Sequence, residues 1–266
     1  MTFNQKYIPI YTKIIVLKAI IFVLIAFCGI GNVYAFEPIP ITISHTMNNV
    51  VFDGKWTHEF EWKASSLITY KYENATEIVL RTAHQENFVY VFLDSITDYH
   101  PNLNDHAIIC FDTHNNKSEM TDSNDYCFET YLNAEESFVY QGDNESDIGF
   151  SKIEKPQGFI AKSTISDMND RYTPVPHPSF EFRVPTELIG RQSVYGFYFS
   201  VYDDYARKTY TYPQNADSQN FVAMPSKWGE IYSPDKSLPE FELPTLALIV
   251  SLTSLVFFSQ IKRRPT

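Results

Sequence analysis

Apolar residues in this chain recur at every second position in short runs, and clusters of Asn, Asp, Ser, Gly and Pro separate those runs. Phe180–Val184 (FEFRV) and Tyr195–Asp203 (YGFYFSVYD) alternate most clearly, which predicts strands. In the second run Tyr195, Phe197, Phe199 and Val201 share one face and should point inward. Gly196, Tyr198, Ser200 and Tyr202 share the other. Glu77–Ala83, Phe138–Gly142, Gly158–Ile165 and Thr209–Pro213 read as further strands. Phe88–Asp94 (FVYVFLD) is apolar almost throughout, so it should be covered on both faces. Phe36–Ser44 is a Pro-broken edge segment, Asp53-Gly54 a turn, and Pro185–Gly190 one short helical turn. No long amphipathic helix is written between the termini. Many short strands at near-regular spacing predict an all-β, antiparallel β-sandwich of jelly-roll-like kind over residues 36–235.

Ala107–Leu132 organises this pattern. Ala107–Asp112 and Tyr126–Leu132 are apolar runs flanking a polar loop, and each carries one cysteine. The phases allow Cys110 and Cys127 to face each other across a hairpin and form a disulfide. Asp112, Asn116, Asp122, Asn124 and Asp125 place hard oxygen donors in the loop, which makes a weak calcium site the candidate. Their spacing is not that of an EF-hand, and a hydrated acidic turn is the competing reading.

The two ends indicate where the chain goes. Lys6, Lys13 and Lys18 precede the apolar run Ala19–Ile30, and Val33-Tyr34-Ala35 ends it, as in a signal peptide of residues 1–35 cut after Ala35. An uncleaved anchor is the alternative. Export makes the disulfide chemically plausible. After a linker at 236–243, Pro244–Ile261 is uncharged and is followed by Lys262-Arg263-Arg264, which predicts a transmembrane helix with the basic 262–266 tail in the cytoplasm. With Leu238-Pro239-Glu240-Phe241 before it, this tail resembles the sorting or anchoring tails of archaeal surface proteins. The expected location is the cell surface.

Between the ends, residues 36–243 carry all 32 acidic and 15 of the 21 basic residues, a net charge of −17. Such a surface argues against nucleic acid as a partner and suits divalent cations. Asn74, Asn116 and Asn144 each begin an Asn-X-Ser/Thr triplet and are candidate glycan acceptors.

The order of motifs carries a resemblance. Asp53-Gly54-Lys55-Trp56 with Glu61-Trp62 comes first, then Phe88–Val91, Ile109–Asp112 and Asp125–Thr130. Glu181–Pro185, Gly196–Asp204 and Trp228–Ile231 follow. In this order they resemble the family 9 carbohydrate-binding modules and their DOMON-like relatives. One departure is Tyr212-Pro213, where many relatives carry Trp-Pro. The resemblance implies a non-catalytic domain that binds an extracellular or envelope glycan.

Sugar binding needs flat rings with polar groups at their edges. Tyr202, Tyr205, Tyr210 and Tyr212, interleaved with Asp203, Asp204 and Arg207, offer both in one stretch, and core packing is the competing reading for the tyrosines. Trp56, Trp62 and Trp228 read as core. The seven histidines are dispersed and no catalytic motif occurs, so no enzyme is predicted. A zinc or copper site among His100, His106 and His114 lacks regular spacing. A structural or adhesion envelope protein with no soluble ligand is the alternative function.

Overall fold

The computed structural model describes residues 38–214, 216 and 221–233. The expected signal peptide, linker, transmembrane helix and basic tail lie outside these residues. Among the described residues no helix is long and apolar enough to cross a membrane.

The strands are β1 (Ile39–Pro40), β2 (Thr42–Ile43), β3 (Ile68–Lys71), β4 (Glu77–Gln85), β5 (Phe88–Asp94), β6 (His106–Asp112) and β7 (Asp125–Tyr131). They continue with β8 (Ser137–Gly142), β9 (Phe150–Ile153), β10 (Ile160–Ile165), β11 (Pro178–Pro185), β12 (Val194–Asp203), β13 (Lys208–Tyr212) and β14 (Gly229–Tyr232). A single turn of helix, α1 (Thr186–Ile189), follows Pro185. The first sheet runs β1-β14-β12-β6-β7-β8-β9, with β13 and β14 end to end along one edge of β12. The second runs β10-β11-β5-β4-β2, with β3 also on β4. Pairing is antiparallel except at two short edges, where β1 joins β14 and β2 joins β4 in parallel. The N-terminal segment therefore crosses from one sheet to the other around Ile41, whose amide donates to the Tyr232 carbonyl (2.8 Å).

The two sheets bury one shared core. Leu80, Val91, Leu93, Phe180 and Phe182 from one meet Ile109, Phe111, Phe128, Phe197 and Phe199 from the other. As the alternation predicts, Tyr195, Phe197, Phe199 and Val201 all belong to this core. The apolar run of β5 serves two cores. Val89, Val91 and Leu93 point between the sheets, while Tyr90 and Phe92 pack outward with Trp56 and Trp62.

The loop carrying Trp56 and Trp62 covers the outside of the second sheet. Glu181 of β11 docks it. Its two carboxylate oxygens accept the Gly54 amide (2.8 Å) and the Trp62 indole N–H (2.9 Å), and the Gly54 carbonyl accepts the Ser179 hydroxyl (2.7 Å). Gly54 has φ +93°, and a Cβ there would lie 2.4 Å from the Ser163 backbone, so only glycine fits. Cys110 and Cys127 are directly opposed across β6 and β7 and form a disulfide, with Cα atoms 4.1 Å apart. The bridge lies outside the first sheet, under Ala216, Val222, Ala223 and Trp228.

Candidate functional site

The outer face of the first sheet carries a row of rings. Parity along each strand sends Tyr202 of β12, His106 of β6 and Tyr131 of β7 outward, and register sets them side by side: Tyr202 opposite His106, and His106 opposite Tyr131. The His106 ring centroid is 5.1 Å from that of Tyr202 and 4.7 Å from that of Tyr131, with tilts of 30° and 37°. Phe138 of β8 extends the row edge-on to Tyr131 at 6.4 Å, and Tyr140 follows at 6.5 Å. All five rings are half-buried, so each is held firmly and still presents surface.

Polar groups line this strip. Glu129, buried beneath it, accepts the Tyr140 hydroxyl (2.9 Å). Burial, reinforced by Glu129, pushes the Tyr131 phenol up to about 12, so it stays a neutral donor at all physiological pH. His106 Nδ1 faces the Asn104 carbonyl (2.9 Å), which can only accept, so the proton sits on Nδ1 and Nε2 is an acceptor in the neutral ring. Lys152 Nζ lies 3.9 Å above the Phe138 ring.

At the Tyr202 end, Asp98, Asp105 and Asp203 hold carboxylate oxygens within 4.8 Å of one another. Burial, with Asp203 and Asp105 adding to it against the His100 amide, pushes the Asp98 carboxyl up to about 6. Asp105 is also raised, mainly by burial, and it accepts the Asp204 amide (2.8 Å) and the Asn102 amide (2.6 Å). The Tyr202 hydroxyl donates to Asp204 (3.4 Å). Tyr205 is 67% exposed at the hairpin turn, its ring 4.1 Å from that of His100, and Arg207 is exposed beside it with φ +52°.

Tyr202, Asp203, Asp204, Tyr205 and Arg207 are thus brought to one end of the strip. Tyr210 and Tyr212 are not. Register pairs Tyr210 with Val201 and Tyr212 with Phe199, both inward residues, so the two tyrosines turn into the core, 6% and 4% exposed. Tyr212 packs on Tyr70 (5.3 Å) and Phe199 (6.0 Å), and Tyr210 on Tyr72 (5.2 Å). For Tyr210 and Tyr212 the structure thus bears out the competing reading, core packing, and not a place in a ligand site. Tyr131, Phe138 and Tyr140 join the candidate strip without having been singled out in the sequence, although their outward phase in β7 and β8 was the available signal.

In the 112–125 loop the oxygens are engaged from within. Asp112 accepts the His114 (3.1 Å) and Lys117 (3.0 Å) amides, Asp122 accepts the Asn124 amide (2.8 Å), and Asp125 accepts the Asp122 amide (2.8 Å). The Asn116 side-chain amide donates to Asp122 (2.8 Å). Asp125 Oδ1 is buried without a hydrogen-bond partner. Burial, with Asp112 and Asp122 adding to it, pushes the Asp125 carboxyl up to about 7. Asn74, Asn116 and Asn144 are all exposed, Asn74 on a single 3-10 turn and the other two on loops. The three histidines near the acidic loop are not brought together. His100 lies on Tyr205, while His106 and His114 sit at opposite ends of β6. Trp56, Trp62 and Trp228 are buried, as expected.

No family model matches the sequence, and no curated protein matches it. Among solved structures, the chain is similar to a carbohydrate binding module family 9 (CBM9) from Caldicellulosiruptor kristjanssonii in complex with cellotriose. The TM-score is 0.47 at 16% identity, over 76% of this chain and 98% of that one.

Proposed function

We propose that the chain is a surface-anchored, non-catalytic carbohydrate-binding domain that recognises extracellular or envelope glycans along the strip Tyr202–His106–Tyr131–Phe138. What supports this reading is the geometry of that row: in-register rings, half-exposed, on a rigid sheet, with hydroxyl and carboxylate groups at their edges. His106 is stacked between Tyr202 and Tyr131, so a pyranose would lay its C–H face on the ring faces left free at the ends of this stack and turn its hydroxyls to the polar groups around them. The acidic end of the strip favours neutral sugars, whose hydroxyls donate, over uronic or sialic acids, which it would repel. Each stacked ring contributes about 1 kcal/mol, so one site is weak and dense display on a surface strengthens it. Anchoring by the 244–261 segment would provide that display.

A second reading, an adhesion or structural protein without a soluble ligand, is favoured by a different feature. Exposed Met120, Ile148 and Met224 line a cleft of about 430 Å³ beside Phe150 and Val222, a surface suited to protein contact. Retention of the purified chain on columns of neutral and anionic polysaccharides separates the two readings. Retention on a neutral glycan, displaced by the free sugar, supports the first, and flow-through on every column supports the second.

A further inference from the structure

Away from the aromatic strip, at the ends of two interior strands of the second sheet, three ligand-type side chains converge in the interior. Asp94 ends β5, His177 immediately precedes β11, and Asp170 belongs to the loop between β10 and β11. Asp94 and His177 are fully buried, and the Asp170 side chain is 1% exposed. One ligand atom from each lies within 4.8 Å of the other two.

The imidazole is oriented for donation of a lone pair. His177 Nδ1 lies 2.7 Å from the Val175 carbonyl, so Nδ1 carries a proton and Nε2 faces the carboxylates. Nε2 is 2.6 Å from Asp94 Oδ1 and 3.9 Å from Asp170 Oδ1. The second oxygens of both carboxylates, Asp94 Oδ2 and Asp170 Oδ2, are buried with no hydrogen-bond partner. Each carboxylate is partnered through its first oxygen only, Asp94 by His177 and Asp170 by two backbone amides, so the enclosed cluster keeps two buried carboxylate oxygens free to coordinate a cation. Arg81 is the nearby cation that acts on Asp94, but it donates through Nε to the Tyr172 hydroxyl (2.5 Å) and through Nη1 to the Trp62 carbonyl (3.0 Å).

We propose that Asp94, Asp170 and His177 form a site for a divalent transition metal, zinc being the best fit. Calcium takes six to eight oxygens, whereas one imidazole with two carboxylates suits zinc, which accepts three protein ligands and a fourth from solvent or a hydroxyl. Binding exchanges the proton held between His177 Nε2 and Asp94 Oδ1 for the metal and releases it to solvent. The metal fastens the 166–177 loop to the sheet.

Zinc titrated into the full-length chain, after stripping with a chelator, should bind at one per chain and raise the melting temperature. Asp170→Asn keeps an oxygen for the Tyr172 and Thr173 amides, which Asp170 Oδ1 accepts, and should weaken zinc at least tenfold without lowering the metal-free melting temperature. His114→Ala should leave zinc affinity unchanged. Anomalous scattering at the zinc edge on wild-type crystals locates the ion without any variant, and the peak should fall between Asp94, Asp170 and His177. A peak elsewhere, no stoichiometric zinc, or equal zinc affinity in Asp170→Asn overturns the proposal.

Discussion

Tyr202 and Tyr212 stand on neighbouring strands, and their rings face opposite sides of one sheet. Replacing Tyr212 with Ala removes a ring packed on Tyr70, Phe197 and Phe199 and should cost about 3–5 kcal/mol, read from chemical denaturation. Tyr202→Ala should cost less than about 1 kcal/mol, because its ring is only half-buried. Equal losses at the two positions would mean that the register is wrong. Asp125 gives the residue scale a pH signature. Its folded-state pKa, about 7, lies above the ordinary carboxylate value. It therefore favours the folded state most at low pH, and that contribution is lost as pH rises from about 4 through 7. Asp125→Asn can still accept the Asp122 amide. It should match wild type near pH 4, gain on it progressively, and end roughly 1–3 kcal/mol more stable above pH 7. Melting curves that run parallel at every pH would remove that account.

At the scale of elements, the disulfide and the Glu181 dock tie loops to the two outer faces. Replacing both Cys110 and Cys127 with Ala should cost about 3 kcal/mol, since the bridge closes a separation of 17 residues. An unchanged denaturation midpoint under reducing conditions would contradict this. Glu181 is held by two N–H donors, although burial pushes its carboxyl up. Gln can serve only one of them, so Glu181→Gln should lose about 1–3 kcal/mol. Elements with a long alternating run, such as β12, or a continuous apolar one, such as β5, were legible because local pattern and burial agree there. β3 and β9 were not, being four-residue edge strands with one buried side chain between them. The parallel pairs of β1 and β2 were also hidden, because two residues carry no period and their partners lie far along the chain. The Asp53–Trp56 and Glu181–Pro185 motifs stand out in the sequence, and the structure gives Gly54, Trp62 and Glu181 a structural role, that of docking one loop onto the second sheet.

For the whole molecule, the candidate site is a property of strand order. Tyr202, His106, Tyr131 and Phe138 come from four strands whose neighbourhood, β12-β6-β7-β8, is set by the sandwich and not by any local segment. The chain shows the outward phase of each ring but not that the four meet, which is why the tyrosine-rich hairpin drew attention first. The same sheet that aligns the rings keeps them apart from the buried Asp94–Asp170–His177 cluster on the other sheet, so sugar binding and metal retention should be separable. The most direct test is a glycan array probed with the full-length chain beside Tyr131→Ala, both checked for equal melting temperature. Saturable binding of wild type to neutral glycans, lost at least tenfold in Tyr131→Ala, is the predicted result. Binding that survives Tyr131→Ala undiminished, or no binding by wild type to any glycan, would contradict it.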